Sequence, residues 1–507
     1  MSTGKYVIGV DSGTQGAKVI VVDPAGNIVS EGAAAHEPMI QLSPGWAEQH
    51  PEDNWTKFCQ ACQEAMANLP VPKSELAAIG LTGQRGTTAL LDPDGKPIRP
   101  LVVWMDPRCM YWAKWIRDNE PESYEKTYKI SSVEGWIVKH LTGEFHDCAA
   151  YPPAGPGLVT SLTWPDDPAA YETYGMDREK LMDIVLPGTV YGGITRATAE
   201  ATGLPEGLPV VAGAGDKQCE VLGAGAIGTG EVYVSYGTLA CVNTFCYTKQ
   251  APVPKGGEYY TMGAAVPGGW NLEASLRGHL MVSWLRDEFA YDAVLEAQKR
   301  GVSPEQILNE GAAKVPPGAE ALVLFPYWDA RTAAPEASGL ILGFYDGVHK
   351  RAHIFRAILE GIAYGLRTHL DAFARDTGRP VQEATAGGGG SKSDIGMQAT
   401  ADIFGVPCKR PHTPETCALG AAISGAVGGG VYSSFEEATK HMTRSERVFE
   451  PIPENVELYN AIYEGVFIEI YPALEKVFKR LNEIRALPMF REGADWGKAD
   501  KRHLEEQ

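Results

Sequence analysis

Three glycine-rich segments of the sequence have the composition of turns that bind anions or flat ligands. In VDSGTQG, Val10 to Gly16, two glycines permit tight backbone angles, and successive N–H groups beside a threonine hydroxyl can surround a phosphate. YGTL, Tyr236 to Leu239, repeats the Gly-Thr pair. GGGGSKSDIGM, Gly387 to Met397, reads as a strand, a turn and a helix start, where backbone can approach a flat ligand such as adenine. Each segment alone is also what an ordinary turn contains.

Two aspartates are candidates for the chemistry itself. Asp216 lies in GAGDKQ, at the end of the apolar run LPVVAGAG, where a carboxylate can project into a cleft and accept a proton. Asp11 follows the first apolar run and is well placed to hold Mg²⁺ through water. The alternative for Asp216 is a turn aspartate, which its glycine neighbours taken alone would favour.

The segments that must position these residues form a repeated pattern. KYVIGVDSGTQGAKVIVVDPAGNI predicts antiparallel strands from Tyr6 to Val10 and from Lys18 to Val22, with a third from Ile28. GEVYVSYGTLACVNTFCY predicts the same layout, with strands from Val232 to Ser235 and through Val242 to Phe245. Two copies of a strand, Gly-Thr turn, strand unit indicate two related domains, and two unrelated hairpins are the alternative.

Helical and strand patterns alternate between and after these meanders, which is typical of an α/β fold. Apolar spacing also predicts one amphipathic helix from Val456 to Leu481, kinked at Pro472. The predicted helices before it are 55–68, 110–119, 133–141, 353–377 and 394–404.

The composition excludes several classes of protein. The chain has 507 residues, a formal charge of −19 and 44% hydrophobic residues, so it is globular, and its length predicts two to four domains. An acidic chain without a basic block argues against nucleic acid and against a polybasic membrane anchor. The sequence contains no signal peptide and no run of roughly 18 apolar residues, and its nine cysteines fit reduced thiols, which together predict a cytoplasmic protein.

Several motifs are rejected as sites. GxGxxG at Gly223 to Gly228 is followed by a strand pattern, whereas a dinucleotide site needs a helix there, and no GxxxxGK[ST] P-loop exists. Cys59 and Cys62 form a CxxC inside a helical pattern without a second pair. His349 and His353 have helical metal-pair spacing but no nearby third ligand, so ordinary polar positions are the better interpretation.

Taken in order, ten short motifs resemble those of the FGGY carbohydrate kinases. The resemblance extends from Gly9 to about Gly430 and implies two ribonuclease-H-like α/β domains of the actin and hexokinase superfamily around a central cleft. The domains would be residues 1–219 and 220–484, followed by a charged tail, 485–507. The motifs are VDSGTQG, GWAEQHPEDNW, GLTGQRGTTALLD, VVWMDPR, HLTGEFHD, VVAGAGDKQ, GEVYVSYGT, FPYWDART, ILEGIAYGLR and GGGGSKSDIGMQATADIFGVP.

The resemblance also implies a site for ATP, Mg²⁺ and a small sugar or polyol. Asp216 matches the family's catalytic base, and Asp11 with Asp216 would organise the metal. Domain closure would keep water from taking the phosphoryl group. The substrate residues would be Gln84, Arg85, Asp106 and Asp216, and the nucleotide residues would be Gly13, Thr14, Gln15, Gly237, Thr238, Gly388, Gly389, Gly390 and Ser391.

The substrate motifs point in two directions. Arg85 and Gly86 stand where the xylulokinase pattern has a Met-His pair, and Arg85 fits the glycerol kinase pattern while Gly86 does not. GWAEQHPEDNW is more similar to the xylulokinase branch, and the segment after Arg108 is shorter than the family usually has. We therefore expect a ketopentose such as xylulose, followed by glycerol or erythritol.

Two other functions stay open. A non-catalytic sugar-binding relative would keep the same clamshell, and an actin-like or chaperone ATPase would lack Asp216 in its GAGD setting. A homodimer is also left open, because exposed apolar patches cannot be seen in a sequence.

Overall fold

The computed structural model describes residues 5–43, 45–109, 111–150, 161–328 and 334–487. The FPYWDART motif and the charged tail therefore lie partly outside the described residues. The strands are β1 (Tyr6–Ser12), β2 (Gly16–Val22), β3 (Ile28–Ala35), β4 (Glu48–Gln49), β5 (Leu76–Gly83), β6 (Thr88–Leu91), β7 (Leu101–Val102), β8 (Lys129–Ser132), β9 (His146–Cys148), β10 (Asp183–Val185), β11 (Val190–Gly193), β12 (Pro209–Gly215), β13 (Glu231–Tyr236), β14 (Leu239–Cys246), β15 (Tyr260–Gly263), β16 (Trp270–Arg277), β17 (Val323–Phe325), β18 (Leu340–Leu342), β19 (Glu383–Gly387), β20 (Cys408–Pro411) and β21 (Ser445–Phe449).

All five helices predicted before the C-terminal segment are present, with bounds that differ from the prediction by up to four residues. Within the described ranges, every helix is too short or too polar to traverse a lipid bilayer. The helices are α1 (Pro51–Ala67), α2 (Trp112–Asn119), α3 (Pro121–Lys126), α4 (Val133–Thr142), α5 (Ala169–Glu172), α6 (Arg196–Thr202), α7 (Asp216–Gly223), α8 (Leu280–Phe289), α9 (Tyr291–Arg300), α10 (Pro304–Ala312), α11 (Arg351–Thr377), α12 (Asp394–Phe404), α13 (Thr416–Gly428), α14 (Phe435–Met442), α15 (Pro453–Ile462) and α16 (Ile470–Arg485).

The two large sheets share one topology. The first has the order β11-β12-β5-β1-β2-β3, in which β1, β2 and β3 are antiparallel and β1, β5 and β12 are parallel. The second has the order β15-β16-β14-β13-β19-β20-β21, with the same antiparallel meander followed by the parallel strands β13, β19 and β20. The repeated meander is therefore confirmed as the start of two related α/β domains.

Helices α7 and α13 join the two halves of the molecule. Helix α13 comes late in the chain, yet its apolar residues belong to the core of the first sheet. Glycines allow the close approach, because a Cβ at Gly9 or Gly80 would lie 1.9 Å from a carbonyl oxygen of α13. A Cβ at Gly223, the last residue of α7, would likewise meet the Thr416 carbonyl at 1.9 Å. These three glycines thus serve helix packing rather than ligand binding.

The prediction of one C-terminal helix kinked at Pro472 is wrong. Helix α15 ends at Ile462, a π-helical turn spans Tyr463–Phe467, and α16 begins at Ile470. Pro472 lies in the first turn of α16, where a missing N–H removes no helical hydrogen bond. The extra residue of the π turn lets Tyr463 and Phe467 both pack in a separate small core.

A buried acidic pair beside α4 gives a prediction about stability. Asp147 accepts hydrogen bonds from the backbone N–H and hydroxyl of Ser132, and Tyr191 donates to Glu134 at 3.3 Å. Burial raises the pKa of Asp147 to about 7, and burial followed by the charge of Asp147 raises the pKa of Glu134 well above its ordinary value. The folded state therefore holds protons that the unfolded chain loses above about pH 4.

We expect the thermal unfolding temperature to fall as pH rises from about 5 to 8, because the stabilisation from these protons is lost as pH passes the folded-state values. Glu134→Gln keeps the acceptor for Tyr191 and removes one charge, so it should flatten this fall. At pH 8 it should add about 1–3 kcal/mol to the free energy of unfolding. Glu144→Gln, at an exposed neighbouring position, is the control, and equal pH profiles for the two variants would contradict the prediction.

Candidate functional site

The predicted catalytic residues meet at the carboxyl ends of the parallel strands of the first sheet. Asp11 lies in β1, Arg85 follows β5, and Asp216 follows β12, and these three strands are neighbours. Their side chains face the cleft because parallel strands end on the same edge of a sheet. The sequence places these residues far apart, and the fold brings them together.

A chain of charge contacts crosses the cleft. Arg85 Nε donates to Asp216 Oδ1 at 2.9 Å, and Arg85 Nη2 donates to Glu273 Oε1 at 2.8 Å. Arg85 Nη1 contacts the Met262 sulfur at 2.7 Å. Glu273 and Met262 lie on β16 and β15 of the second sheet. Arg85 therefore links the candidate base to both domains.

Asp11 carries an unsatisfied buried oxygen. Its Oδ1 is buried and accepts no hydrogen bond from the described residues. Burial, and then the charge of Asp216, raise the pKa of Asp11 to about 7. The Cys417 thiol acts in the opposite direction and lowers this pKa, and the same thiol donates to the Asp216 carbonyl at 3.5 Å. A buried carboxylate oxygen that accepts no hydrogen bond can coordinate a cation instead.

A second ion pair lies beside Asp216 on α7. Lys217 Nζ is 2.5 Å from Glu220 Oε1, both side chains are mostly buried, and Glu220 Oε2 accepts no hydrogen bond from the described residues. The charges of Asp216 and Glu220 both raise the pKa of Asp11, so the three carboxylates lie within electrostatic range of one another. A cation beside Asp11 would relieve this repulsion.

The first Gly-Thr turn closes the β1–β2 hairpin. Gly13 N–H donates to the Gly16 carbonyl at 3.0 Å, and Thr14 Oγ1 accepts from the Trp104 indole N–H at 2.9 Å. The Thr14 carbonyl accepts from Gln49, and Gln15 is exposed at the tip. Hydrogen bonds from Trp104 and Gln49 therefore hold the turn in place, while Gln15 at its tip is exposed to solvent.

The second Gly-Thr turn closes the β13–β14 hairpin in the other domain. Gly237 N–H donates to the Leu239 carbonyl at 3.2 Å, and the Thr238 side chain is exposed. The carbonyls of Gly237 and Thr238 accept from the backbone of His279 and Gly278, both at 3.0 Å. The two turns hold equivalent positions in the two meanders, as the sequence repeat predicts.

The glycine run after β19 forms a tight turn into α12. Gly388 has φ of +83°, a conformation that favours glycine, and its carbonyl accepts from Ser391 Oγ at 2.8 Å. A Cβ at Gly390 would collide with the His279 ring at 2.0 Å, so this glycine is required by packing. A Cβ at Gly389, in contrast, would meet no atom within 4 Å. The surface at Gly389 is open.

Gly389→Ala separates packing from ligand binding. Since a methyl group there meets no protein atom, we expect an unchanged thermal unfolding temperature. If adenosine lies against this backbone, the KM for ATP should rise about tenfold, or about 1.4 kcal/mol, while the KM for the acceptor should not change. Gly465→Ala, which also meets nothing within 4 Å but lies in the C-terminal π turn, is the matched control. An unchanged KM for ATP would remove Gly389 from the nucleotide site.

Family models match both halves of this arrangement. Residues 6–114 and 111–223 match the N-terminal domain of the FGGY family of carbohydrate kinases, and residues 232–429 match its C-terminal domain. The chain belongs to the FGGY family. It is therefore a member of a family of sugar kinases that use ATP.

Full-length relatives of this FGGY chain carry different substrate names. It is 34% identical over 487 residues to "Uncharacterized sugar kinase YgcE" of Escherichia coli, covering 95% of this chain and 96% of the relative. It is 28% identical to a xylulose kinase of Bacillus subtilis, covering 95% and 99% of the two chains. It is 31% identical to a glycerol kinase of Deinococcus radiodurans, covering 89% and 94%.

A solved structure supports the fold of this family member. The ligand-bound xylulose kinase of Lactobacillus acidophilus superposes with a TM-score of 0.83 over 94% of this chain and 100% of that one, at 21% identity. At this identity the likeness shows the fold alone. The predicted two-domain FGGY architecture is confirmed.

Two predicted substrate residues do not face the cleft. Asp106 is fully buried, and both its oxygens accept hydrogen bonds, from Arg108 and from the Ala47 N–H. This ion pair stacks on Trp46, with the guanidinium 3.7 Å from the ring centre, so the substrate role of Asp106 stays a prediction that these contacts do not favour. Gln84 is also buried and donates to Gln49 at 2.9 Å, and Gln49 in turn donates to the Thr14 carbonyl, so Gln84 supports the first turn and its substrate role likewise stays a prediction.

Several residues of the cleft are not among those that the sequence predicts. Glu273 and Met262 contact Arg85 from strands distant in sequence, and no local pattern marks them. Lys217 stands directly after Asp216, and a cation beside a candidate base was a visible signal. Trp104 is 41% exposed beside Gly86 and bonded to Thr14, which is an unusual exposure for an indole.

Proposed function

We propose that the protein transfers the γ-phosphoryl group of ATP to a hydroxyl of a small carbohydrate, with Asp216 as general base. The observation that carries the proposal is the position of Asp216 at the end of β12, where its carboxylate is held through Oδ1 by Arg85 and is partly exposed. Among the described residues no hydrogen bond reaches Oδ2. That oxygen is free to accept the proton of an attacking hydroxyl.

The other site residues supply positioning and charge. Phosphoryl transfer depends mainly on alignment and on neutralising the phosphate charge. Thr14 and Thr238, at the turns that contain Gly13 and Gly237, would hold the phosphates from opposite domains. Gly388 to Ser391 would flank the adenosine, and domain closure would keep water from the γ-phosphate.

Asp11 fits Mg²⁺. Its buried Oδ1 accepts no hydrogen bond from the described residues, and burial and then the charge of Asp216 raise its pKa. Carboxylate oxygens and water are the ligands that Mg²⁺ prefers, and the ion bound with the nucleotide would neutralise phosphate charge. We propose that Asp11 holds it, and that Asp216 contributes its charge to the same metal site while its Oδ2 accepts the proton. A cytoplasmic location, where ATP and Mg²⁺ are available, completes the proposal.

For the acceptor we propose a ketopentose such as xylulose, with glycerol or erythritol as the alternative. A relative named xylulose kinase aligns over 95% of the chain. Arg85 in the cleft instead favours a polyol, since the sequence around it is closer to the glycerol kinase pattern.

A panel of acceptors tests these assignments. Purified protein is incubated with MgATP and single pentuloses, polyols or aldonic acids, and ADP release is coupled to an optical readout. We expect one neutral compound to stimulate ADP release, with ketopentoses strongest. Stimulation by glycerol alone would favour the alternative. Thermal stabilisation by a sugar without any ADP release would support a non-catalytic binding protein instead.

A further inference from the structure

Glu273 is a buried carboxylate of the second domain that contacts Arg85 of the first domain, beside the candidate base Asp216. It lies on β16, opposite Asn243 of β14 and Tyr260 of β15, and it is 8% exposed. Its Oε1 accepts from Arg85 at 2.8 Å. Its Oε2 is buried and accepts no hydrogen bond from the described residues. Fold stability alone gives little reason to bury a half-satisfied carboxylate.

The path of Arg85 across the cleft is specific. The side chain crosses Gly215, where a Cβ would lie 2.3 Å from Arg85 Cδ. From there its guanidinium reaches Asp216 in its own domain and Glu273 and Met262 in the other. A side chain at position 215 would occupy this route, so Gly215 allows Arg85 to reach the second domain.

Asp216 and Glu273 share the guanidinium of Arg85, and this sharing decides how many oxygens of Asp216 are bound. Nε and Nη2 form one edge of the guanidinium, and their parallel N–H bonds can hold both oxygens of a single carboxylate. Here Nε goes to Asp216 and Nη2 goes to Glu273. Asp216 is therefore bound through one oxygen only, and Oδ2 is left uncommitted. Without Glu273, the same edge could take both oxygens of Asp216.

We propose that Glu273 is a positioning residue that acts through Arg85 on Asp216. When the domains close, Glu273 takes Nη2 and prevents bidentate capture of Asp216, so that Oδ2 can accept the hydroxyl proton. The inference rests on the proposed function, since it assumes that Asp216 is the base. It makes formation of a competent base depend on contact with the second domain.

The first test is Glu273→Gln, which keeps the size of the side chain and removes its charge. We expect kcat for the acceptor to fall about tenfold to a hundredfold, with KM for MgATP changed by less than about twofold. Glu258→Gln is the matched control, since Glu258 is also a partly buried ion-pair partner, 3.2 Å from Arg375, but lies away from the cleft. It should keep the kcat of the unaltered protein. Thermal unfolding of each variant verifies that it is folded.

A double-mutant cycle tests whether Glu273 acts through Arg85. The lysine ammonium of an Arg85→Lys variant has no edge that could hold both oxygens of a carboxylate. Adding Glu273→Gln to that variant should therefore lower its kcat by less than about twofold. Equal losses in both backgrounds would overturn the proposal, and so would a kcat for Glu273→Gln within about twofold of the unaltered protein. The acceptor panel on the unaltered protein tests the proposed function separately, so a failure of the inference is distinguishable from a failure of that function.

Discussion

Replacement of Asp216 by asparagine is expected to lower kcat for acceptor-dependent ADP release by about 10³-fold, within the range observed for loss of a general base. The amide keeps the size of the side chain and an oxygen for Arg85 Nε, but it cannot take a proton. Because the two Gly-Thr turns are unaltered, KM for ATP should stay within about threefold. Steady-state kinetics with the acceptor from the panel measures both values.

Asp376→Asn is the matched control for this experiment. Asp376 is a buried aspartate that pairs with Arg375 at 2.9 Å, in the second domain and away from the cleft. Its replacement should affect unfolding and leave kcat unchanged. If Asp216→Asn kept full acceptor-dependent turnover, the assignment of the base would be wrong.

Asp11→Asn is expected to have opposite effects on activity and on stability. Loss of the carboxylate proposed to hold Mg²⁺ should lower kcat about 10²-fold and raise the Mg²⁺ concentration needed for half-maximal rate. In the absence of Mg²⁺, the same change should raise the thermal unfolding temperature, because it removes the charge of a carboxylate whose buried Oδ1 accepts no hydrogen bond from the described residues. Calorimetry and Mg²⁺ titrations of ADP release measure the two effects.

Asp402→Asn provides the comparison for stability. Asp402 is also buried, but both its oxygens accept hydrogen bonds, from Gln398, Asn455 and the Ile452 N–H. Its replacement should lower the unfolding temperature without altering the Mg²⁺ requirement. A lower unfolding temperature in both variants would contradict the view that Asp11 is held in the fold for a cation.

The parts of this fold that the sequence predicts are local. Alternating apolar residues around a Gly-Thr pair specify a hairpin within about twenty residues, and the pattern occurs twice, so both meanders and their equivalence could be read directly. Asp11 and Asp216 were found for the same reason, because each is a polar residue at the end of an apolar strand. Parallel strand order then brings them together.

The contacts that the sequence does not reveal are long-range. Arg85 and Glu273 are 188 positions apart, and only the packing of the two domains brings them into contact. Asp106 was assigned to substrate because it lies in a motif, whereas its two oxygens are consumed by Arg108 two positions later and by Ala47. Helix α13 packs against the first sheet through contacts that no periodicity in its own segment records.

The π turn at Tyr463–Phe467 shows a different limit. Helical spacing of apolar residues continues through the turn, so the sequence predicts a single helix. Proline commonly kinks a helix, so the sequence also predicts a kink at Pro472. What decides the geometry is the packing of Tyr459, Tyr463 and Phe467 around Phe325 and Tyr364, which are distant in sequence.

The most direct test of the account follows the phosphoryl group itself. Phosphorus NMR of a reaction containing the protein, MgATP and the acceptor from the panel distinguishes a sugar phosphate ester from inorganic phosphate. We expect one equivalent of ester for each ADP released, with no inorganic phosphate beyond the rate without protein. Release of inorganic phosphate without ester would instead show an ATPase, and it would contradict the proposal that the cleft delivers the γ-phosphoryl group to a carbohydrate hydroxyl.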